Sequence, residues 1–216
     1  MEKSAFAIAV DDIQSTLRPV LKEAGFRVKG RTFNRRMPDG VIHVLGIQMG
    51  AADPPGTTYI PGFRENMHGL FAVNLGIYVP EVSTETNGVD KDWVPEYYCC
   101  IRARLGALVR SDKEVWWHAE ASTSVIEDLL SAIRGPGMKF FEQFPNRDAV
   151  VDLAYRERDR VFFGTPPRIT AAVILTRRGD HEKARTLLTQ QITETTNPGH
   201  PEYVRKLAQN MGLGQL

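Results

Sequence analysis

The stretch GFRVKGRTFNRRMPDGVIHVLGIQMG, residues Gly25 to Gly50, decides the fold that the sequence predicts. It contains two β-prone runs on either side of Pro38-Asp39-Gly40, a combination typical of tight turns. The stretch therefore predicts an antiparallel β-hairpin, and the other elements are interpreted outward from it.

The hairpin turn determines which side chains share a face of the sheet. If Asp39-Gly40 form a two-residue turn, Arg36 faces His43 and Arg31 faces Gln48. Alternation then gives an apolar face and an arginine-bearing face. The apolar face carries Val28, Thr32, Leu45 and Ile47. The arginine-bearing face carries Arg31, Phe33, Arg35, Val44 and Gln48. A three-residue turn would mix the arginines with the best core candidates. We therefore predict the two-residue turn, since a shift of one residue exchanges the faces.

Three later segments extend the sheet. Leu70 to Val79 alternates cleanly between apolar and polar or small residues, which predicts a strand with one buried and one polar face. Tyr97 to Leu108 alternates in the same way, and Val115 to His118 predicts a short fifth strand. The segments from Ala51 to Gly69 and from Pro80 to Pro95 are rich in turn residues and predict long loops.

Helical periodicity appears at the start of the chain and throughout its last third. Apolar residues recur at helical spacing from Ser4 to Ala24 and from Ser124 to Ile133, and Gly135-Pro136-Gly137 is expected to end the second helix. The predicted fold class is α+β, with a mostly antiparallel sheet of four or five strands flanked by helices and a C-terminal helical subdomain. The predicted division is a sheet domain at 1–136 and a helical appendage at 137–216.

Composition restricts the function classes. The chain has 216 residues, and its formal net charge of +1 provides no global field that would attract nucleic acid or an anionic membrane. Cys99 and Cys100 are adjacent, so a disulfide framework is not expected and a reducing compartment is favoured. The sequence contains neither a signal peptide pattern nor a long apolar run, and we predict a cytoplasmic protein that does not contact membranes.

The phrases GFRVKGRTFNRR, VIHVLGIQMG and GLFAVNLGIYVP, with Arg102 and Arg104 in CIRARLG and the pair Trp116-Trp117, resemble a bacterial domain-of-unknown-function family, number 4304. The resemblance covers roughly residues 6–133. It implies a helix-flanked antiparallel α+β domain and carries no established activity or catalytic residues. A weaker similarity to one tetratricopeptide helix pair covers about 169–193, but no second copy follows, so we interpret it as a lone helical hairpin.

Catalytic and metal motifs are absent from the sequence. No G-x-S-x-G or glycine-rich phosphate loop occurs. His118-Ala119-Glu120 and Cys99-Cys100 occur in the wrong order and spacing for a zinc deaminase. We therefore predict no catalytic residue, metal or cofactor.

The polar sheet face is the candidate site. Arginine forks suit carboxylates and phosphates, so this face could bind an anion. The alternative is a solvated or helix-covered face whose arginines pair with local acids. Only one of Trp116 and Trp117 can enter the core, and we expect the C-terminal helices to cover the other. The predicted binding residues are Arg31, Arg35, Gln48, Asn74, Tyr78, Arg102, Arg104 and Trp116.

Two functions remain open at this point. The leading hypothesis is a non-enzymatic binding module that recognises another protein or an anionic ligand, with a bacterial immunity or antitoxin-like role as one version and nucleic acid as a less favoured partner. The alternative is a hydrolase or nucleic-acid-processing enzyme with a phosphate-holding arginine cleft. The enzyme hypothesis requires Arg31, Arg102 and Arg104 to converge with an unpaired histidine or carboxylate. The sequence indicates no oligomeric state.

Overall fold

The computed structural model describes residues 3–51, 58, 60, 66–110, 115–156 and 162–216. Most of the predicted loop between Ala51 and Gly69 lies outside these residues. The predicted fold class is confirmed: the chain is α+β, with an antiparallel sheet flanked by helices and followed by several C-terminal helices.

Within the described residues, seven strands form the sheet. They are β1 Arg27–Lys29, β2 Thr32–Arg36, β3 Ile42–Met49, β4 Leu70–Tyr78, β5 Ile101–Arg104, β6 Trp117–His118 and β7 Phe163–Gly164. The strand order is β1-β2-β3-β4-β5-β7, and β6 pairs with β4 outside this path. A turn at Gly30 divides the first hairpin run into β1 and β2, while β7 lies within the stretch 137–216 that was predicted as a helical appendage.

Helices flank the sheet and make up most of the last third of the chain. They are α1 Ala5–Glu23, α2 Pro80–Asn87, α3 Leu105–Val109, α4 Thr123–Ala132, α5 Met138–Glu142, α6 Arg147–Asp152, α7 Pro167–Arg177, α8 His181–Glu194 and α9 His200–Asn210. Gly25 follows α1 with a positive φ of 85°, a conformation that suits glycine at the end of a helix. The Asp180 side chain accepts a hydrogen bond from the Lys183 backbone N–H and caps α8.

The predicted hairpin register is wrong by one residue. The Met37 N–H donates to the Val41 carbonyl at 2.8 Å, so Pro38-Asp39-Gly40 form a three-residue turn in which Gly40 has a φ of 90°. Arg35 consequently pairs with His43, and the faces of β2 are exchanged relative to the prediction. The apolar face tolerates Arg35 because its guanidinium lies over the Phe26 ring, 4.9 Å from the centroid.

Two predictions for the segment after β4 are also wrong. Part of the predicted loop from Pro80 to Pro95 is α2, which begins at a proline because a first-turn N–H has no helical partner to lose. The predicted strand from Tyr97 to Leu108 is a 3₁₀ turn at Glu96–Tyr98, then β5, then α3. Cys99 and Cys100 are both buried, in different hydrophobic clusters on the two sides of the sheet.

The sheet has a large core on one face and a small one on the other. Phe33, Leu45 and Leu75 belong to the large cluster, which includes buried residues from α1 and from α4 to α9. The opposite face was expected to be polar, but Ile42, Val44 and Tyr78 are buried there beneath Val94 and Cys99. Residues 94–99 therefore close most of the face on which the open arginine surface was predicted.

The sequence predicts that the helix ends at Gly135-Pro136-Gly137, but the helical path continues from α4 into α5. Residues Ile133–Gly137 form a π-helical turn that leads directly into α5. A π turn is a local widening that suits this position, because Pro136 has no N–H to donate and its ring crowds a regular α-helical turn. None of the helices in the described residues is long and apolar enough to cross a membrane.

Candidate ligand-binding cleft

Two of the predicted arginines lie on the helix-covered side of the sheet and form internal contacts. Arg31 donates from Nε and Nη2 to Asp11 Oδ1 on α1, at 3.1 and 2.9 Å. Arg35 donates from Nη1 to the Ala24 carbonyl at 3.1 Å, and its Nη2 lies 2.8 Å from His43 Nδ1. Both side chains therefore connect the hairpin to its surroundings.

Arg102 and Arg104 project from the opposite side of β5. Arg102 Nε donates to Glu96 Oε1 at 2.5 Å, and the Arg102 guanidinium lies 4.8 Å from the centroid of Phe163. The Arg104 guanidinium lies 5.0 Å from the Trp116 ring centroid. Trp116 thus lies on the arginine side of the sheet, whereas we expected the C-terminal helices to cover it.

The remaining predicted residues share that side, but most of their polar groups bond internally. Asn74 Nδ2 donates to Gln48 Oε1 at 2.8 Å. Tyr78 is fully buried, and its hydroxyl accepts from the Lys91 backbone N–H at 3.3 Å. Of the eight predicted residues, six therefore share one side, and Arg31 and Arg35 do not join them.

A cleft that the sequence did not predict lies between the β5–β7 edge and the ends of α7, α8 and α9. We call it the β7 cleft, and its volume is about 570 Å³. Its lining combines apolar side chains with a set of charged and amide groups, which we call the polar wall. The main lining residues are Cys100, Ile101, Leu153, Ala154, Arg156, Phe162, Phe163, Thr165, Pro166, Pro167, Arg168, Gln191, Glu194, Thr196, Asn197 and His200.

Gly164 holds the strand side of the β7 cleft in place. Its φ is 123°, and a Cβ at this position would lie 2.4 Å from the Cys100 carbonyl oxygen. This close approach lets the Thr165 N–H donate to the same carbonyl at 2.9 Å. Glycine is therefore required here both for its backbone conformation and for space, and it fixes Phe163 beside Arg102.

The polar wall contains an arginine fork bound to a carboxylate. Arg168 donates from Nη1 and Nη2 to the two oxygens of Glu194, at 2.6 and 3.0 Å. Its Nε is buried and has no hydrogen-bond partner among the described residues. Gln191 Nε2 lies 3.1 Å from His200 Nε2. The cleft lining also includes the exposed Arg156.

The thiol in this cleft is poorly suited to nucleophilic chemistry. Cys100 is buried, and its S–H donates to the Ile77 carbonyl at 3.3 Å. Burial raises the pKa of the Cys100 thiol to about 12, so the thiolate is scarce near neutral pH. In the part of the chain that the structure describes, no group of three or more His, Cys, Asp or Glu side chains could hold a metal ion.

The Arg168–Glu194 ion pair of the polar wall could have been predicted from the sequence. Arg168 lies 12 residues before Asp180, and Glu194 lies 14 residues after it. Residues at similar distances from the turn of an antiparallel helix pair face each other, so the predicted α7–α8 hairpin already implied this ion pair. No local pattern could reveal that β7 closes the other wall, because a two-residue strand has no periodicity.

Comparison with known families identifies part of the chain. Residues 63–143 match the model of the family described as Domain of unknown function (DUF4304). This match confirms the predicted resemblance, although the matched residues start after the β2–β3 hairpin and extend past α5. No curated protein matches the chain, and no solved structure matches it. Of the described residues that line the β7 cleft, only Cys100 and Ile101 lie within the matched stretch.

Proposed function

We propose that this protein is a non-enzymatic binding module that holds a small anionic ligand in the β7 cleft. The observation that carries the proposal is the cleft itself. Its volume of about 570 Å³ falls within the roughly 300 to 1,000 Å³ of typical small-ligand sites. Such sites combine an apolar wall with a few polar groups that orient the ligand, as this cleft does.

The charges of the lining favour an anion. Arg156 and Arg168 contribute two positive charges, and Glu194 contributes one negative charge. Arg156 is exposed and makes no ion pair with any described residue, whereas both Nη groups of Arg168 are already bound to Glu194. An anionic group can pair with Arg156, whereas a cation would meet only the already bound Glu194.

The arrangement of the arginines supports binding over catalysis. The enzyme hypothesis needed Arg31, Arg102 and Arg104 in one concave site, but Arg31 bonds to Asp11 on the other side of the sheet. In the β7 cleft, Glu194 is held by Arg168, and His200 is hydrogen-bonded to Gln191. These internal bonds favour groups that position a ligand over groups that transfer its protons.

Recognition of another protein is the second candidate, and exposed aromatic side chains favour it. Tyr97 is 62% exposed, and its ring centroid lies 4.6 Å from that of Tyr98. Aromatic residues of this kind anchor protein interfaces. The bacterial immunity or antitoxin-like role belongs to this candidate. The two free thiols, Cys99 and Cys100, support a cytoplasmic location for either function.

Blocking the cleft tests the leading proposal without assuming a ligand. Thr196 is exposed and lines the cleft, so Thr196→Trp should fill the cleft without disturbing the core. Thr189→Trp adds the same side chain at an exposed position of α8 that does not line the cleft. The probe is a mixture of fluorinated carboxylates, amines, amides and sugars, observed by ¹⁹F NMR.

We expect at least one fragment signal to broaden with the wild type and with Thr189→Trp, and to stay sharp with Thr196→Trp. The proposal is overturned if no fragment binds the wild type, or if the Thr196→Trp variant binds the same fragments as the wild type.

A further inference from the structure

We propose that protonation of His200 regulates the β7 cleft, so that the cleft binds an anion more tightly in mildly acidic solution than in mildly alkaline solution. This inference rests on the proposed function and adds the regulation of the same site. It follows from three observations: the position of His200 in the lining, the charges that surround it, and its hydrogen bond with Gln191.

His200 is the only side chain of the described lining that belongs to a type whose charge ordinarily changes near neutral pH. The other titratable side chains of that lining are Cys100, Arg156, Arg168 and Glu194. Arginine stays positive and glutamate stays negative between pH 6 and pH 8, and burial raises the pKa of Cys100 to about 12. Histidine is the side chain that titrates in this range. A change in the charge of the described lining therefore comes from His200.

A proton on His200 doubles the net charge of the described lining. Arg156, Arg168 and Glu194 are its permanently charged side chains, so its net charge is +1 while His200 is neutral and +2 when His200 is protonated. A cleft of about 570 Å³ would be roughly 10 Å across if it were spherical, which is about one Debye length at 0.1 M salt. The imidazolium therefore attracts an anion in the cleft without having to touch it.

No described carboxylate pairs with His200 in advance of the ligand. Glu194 on the neighbouring helix α8 is bound to Arg168 on α7. Glu202 follows His200 by two residues on α9, and a helix turns such side chains to different sides. Tyr203, whose ring centroid lies 5.8 Å from that of His200, stays neutral because partial burial raises the pKa of its hydroxyl. A bound anion would be the main negative partner of the imidazolium.

Gln191 can bond His200 in both charge states. Its Nε2 lies 3.1 Å from His200 Nε2, so the amide N–H donates to a neutral imidazole. A half-turn of the amide would present Oε1 instead, which accepts from the N–H of a protonated imidazole. This hydrogen bond does not restrict His200 to one charge state, so the ring can respond to the charge of a ligand.

Proton binding and anion binding should strengthen each other. If a proton on His200 raises the affinity for an anion by some factor, a bound anion raises the proton affinity of His200 by the same factor. For unit charges about 8 Å apart near a protein surface, we expect the affinity for an anion to rise about three- to tenfold as the pH falls from 8 to 6.

Two histidine substitutions separate this effect from other effects of pH. His200→Gln removes the titrating group and keeps a polar side chain that can bond Gln191, so we expect its affinity for an anion to be the same at pH 6 and pH 8. His181→Gln is the matched control, because His181 is exposed at the start of α8 and does not line the cleft. His181 lies about 15 Å from Gln191 along this helix, so the variant should keep the pH dependence of the wild type.

The experiment is a ¹⁹F NMR titration of the whole chain with 4-fluorobenzoate at pH 6, 7 and 8. A benzoate stays ionised over this range. Neutral 4-fluorobenzamide is titrated in parallel, because it reports any effect of pH on the cleft that does not involve the charge of the ligand. We expect the affinity for 4-fluorobenzoate to rise towards pH 6 with the wild type and with His181→Gln, and to stay constant with His200→Gln.

The inference is overturned if 4-fluorobenzoate does not bind, if its affinity for the wild type is the same at pH 6 and pH 8, or if His200→Gln keeps the wild-type change. The same change in the affinity for 4-fluorobenzamide would also overturn it. These outcomes leave the proposed function standing, provided that a fragment binds in a way that Thr196→Trp abolishes.

The titration of His200 itself gives a second readout. Saturating 4-fluorobenzoate should raise the pH at which the His200 Cε1–H resonance is half-shifted, because the bound anion favours the imidazolium. An unchanged midpoint would show that the charge of His200 is not linked to the ligand and would overturn the inference.

Discussion

His43 is a buried residue that links the β2–β3 hairpin to the helical part of the chain. Its Nδ1 lies 2.8 Å from Arg35 Nη2, and its Nε2 lies 2.8 Å from the Phe144 carbonyl oxygen. Since arginine can only donate, Nδ1 accepts and Nε2 carries the proton. Burial, with a smaller contribution from Arg35, lowers the pKa of His43 to about 4. The imidazole is therefore neutral in the folded protein near neutral pH.

This shift should make the stability of the protein depend on pH. In the unfolded chain His43 has an ordinary pKa of about 6.5, so between pH 6.5 and pH 4 the unfolded state binds more protons than the folded state. The stabilisation from a neutral His43 is complete above pH 6.5 and is lost as the pH falls to 4. We expect a loss of roughly 3 kcal/mol in the free energy of unfolding.

Urea denaturation of the wild type and of His43→Phe at a series of pH values checks this expectation. Other acids titrate in the same window, so the informative quantity is the difference between the two proteins. The difference should be largest above pH 6.5 and shrink towards pH 4. A constant difference would contradict the role of His43.

Gly76 is the second residue whose substitution should lower the stability of the protein. A Cβ at this position would lie 2.5 Å from Cys99 Sγ, in the centre of the sheet. At Gly46, on the same face, a Cβ would meet Glu96 Cβ at an ordinary 3.5 Å. We expect Gly76→Ala to lower the free energy of unfolding by about 2 kcal/mol or more, because the packed residues must move.

Gly46→Ala is the matched control, and we expect a smaller change from it. Thermal denaturation followed by circular dichroism measures both variants. Equal losses from the two would show that the approach of Cys99 to the sheet is not as close as described.

Among the elements, the β2–β3 hairpin shows what the sequence could and could not predict. The two strands and their turn were predicted, because β-prone runs flanking Pro38-Asp39-Gly40 are a strong local signal. The register was wrong because it assumed that arginine avoids an apolar face. Arg35 lies on that face because its guanidinium packs over the rings of Phe26 and Phe141. Its N–H groups also donate to the Ala24 carbonyl and to His43. Phe141 is distant in sequence, and strand alternation does not reveal the contacts with the other three.

Contacts with α2 and α6 also hold the tip of the β2–β3 hairpin in place. Arg147, at the start of α6, donates from Nε and Nη2 to the two oxygens of Glu81 on α2, at 2.6 and 2.8 Å. Its backbone N–H donates to Asp39 Oδ2 at 2.7 Å, and its Nη1 donates to the Asp39 carbonyl. One side chain thus joins the turn of the hairpin, α2 and α6.

Removing this side chain should cost more than removing a surface arginine. We expect Arg147→Ala to lower the free energy of unfolding by about 2 to 4 kcal/mol, since it leaves the half-buried Glu81 without its partner. Arg178→Ala breaks the exposed pair with Asp148, for which about 1 kcal/mol or less is expected. Chemical denaturation of both variants gives the comparison, and similar losses would contradict the role assigned to Arg147.

At the scale of the whole molecule, one hydrophobic cluster joins the sheet to the C-terminal helices. It contains Leu75 from β4, Phe140 from α5 and Val173 from α7. The division into a domain at 1–136 and an appendage at 137–216 is still a prediction, and the shared cluster leads us to expect that the two parts unfold together.

The positions of the tryptophans allow a direct check of this expectation. All three tryptophans, Trp93, Trp116 and Trp117, precede residue 137, whereas α5 to α9 follow it. Tryptophan fluorescence therefore reports on the first part, and much of the far-ultraviolet circular dichroism reports on the second. We expect coincident transitions in urea. A helical signal that is lost at a different urea concentration would instead support two independent units.

The fold class was predictable from the sequence, but the candidate site was not. Periodicity predicts α1, β4 and α8 because each is long enough to show its repeat. The β7 cleft depends on Phe163 and Gly164 meeting β5, and on Arg168 meeting Glu194 near the same place. The Arg168–Glu194 pair follows from the predicted helical hairpin, but the contact of β7 with β5 joins short, separate segments that only the folded chain brings together.

The central claim is that the β7 cleft binds the ligand, and the most direct test is a crystal structure of the protein grown with 4-fluorobenzoate. We expect electron density for the probe among the residues that line the cleft, with its carboxylate close to Arg156. Electron density for the probe beside Arg104 and Trp116, or an empty cleft at saturating probe, would contradict the claim.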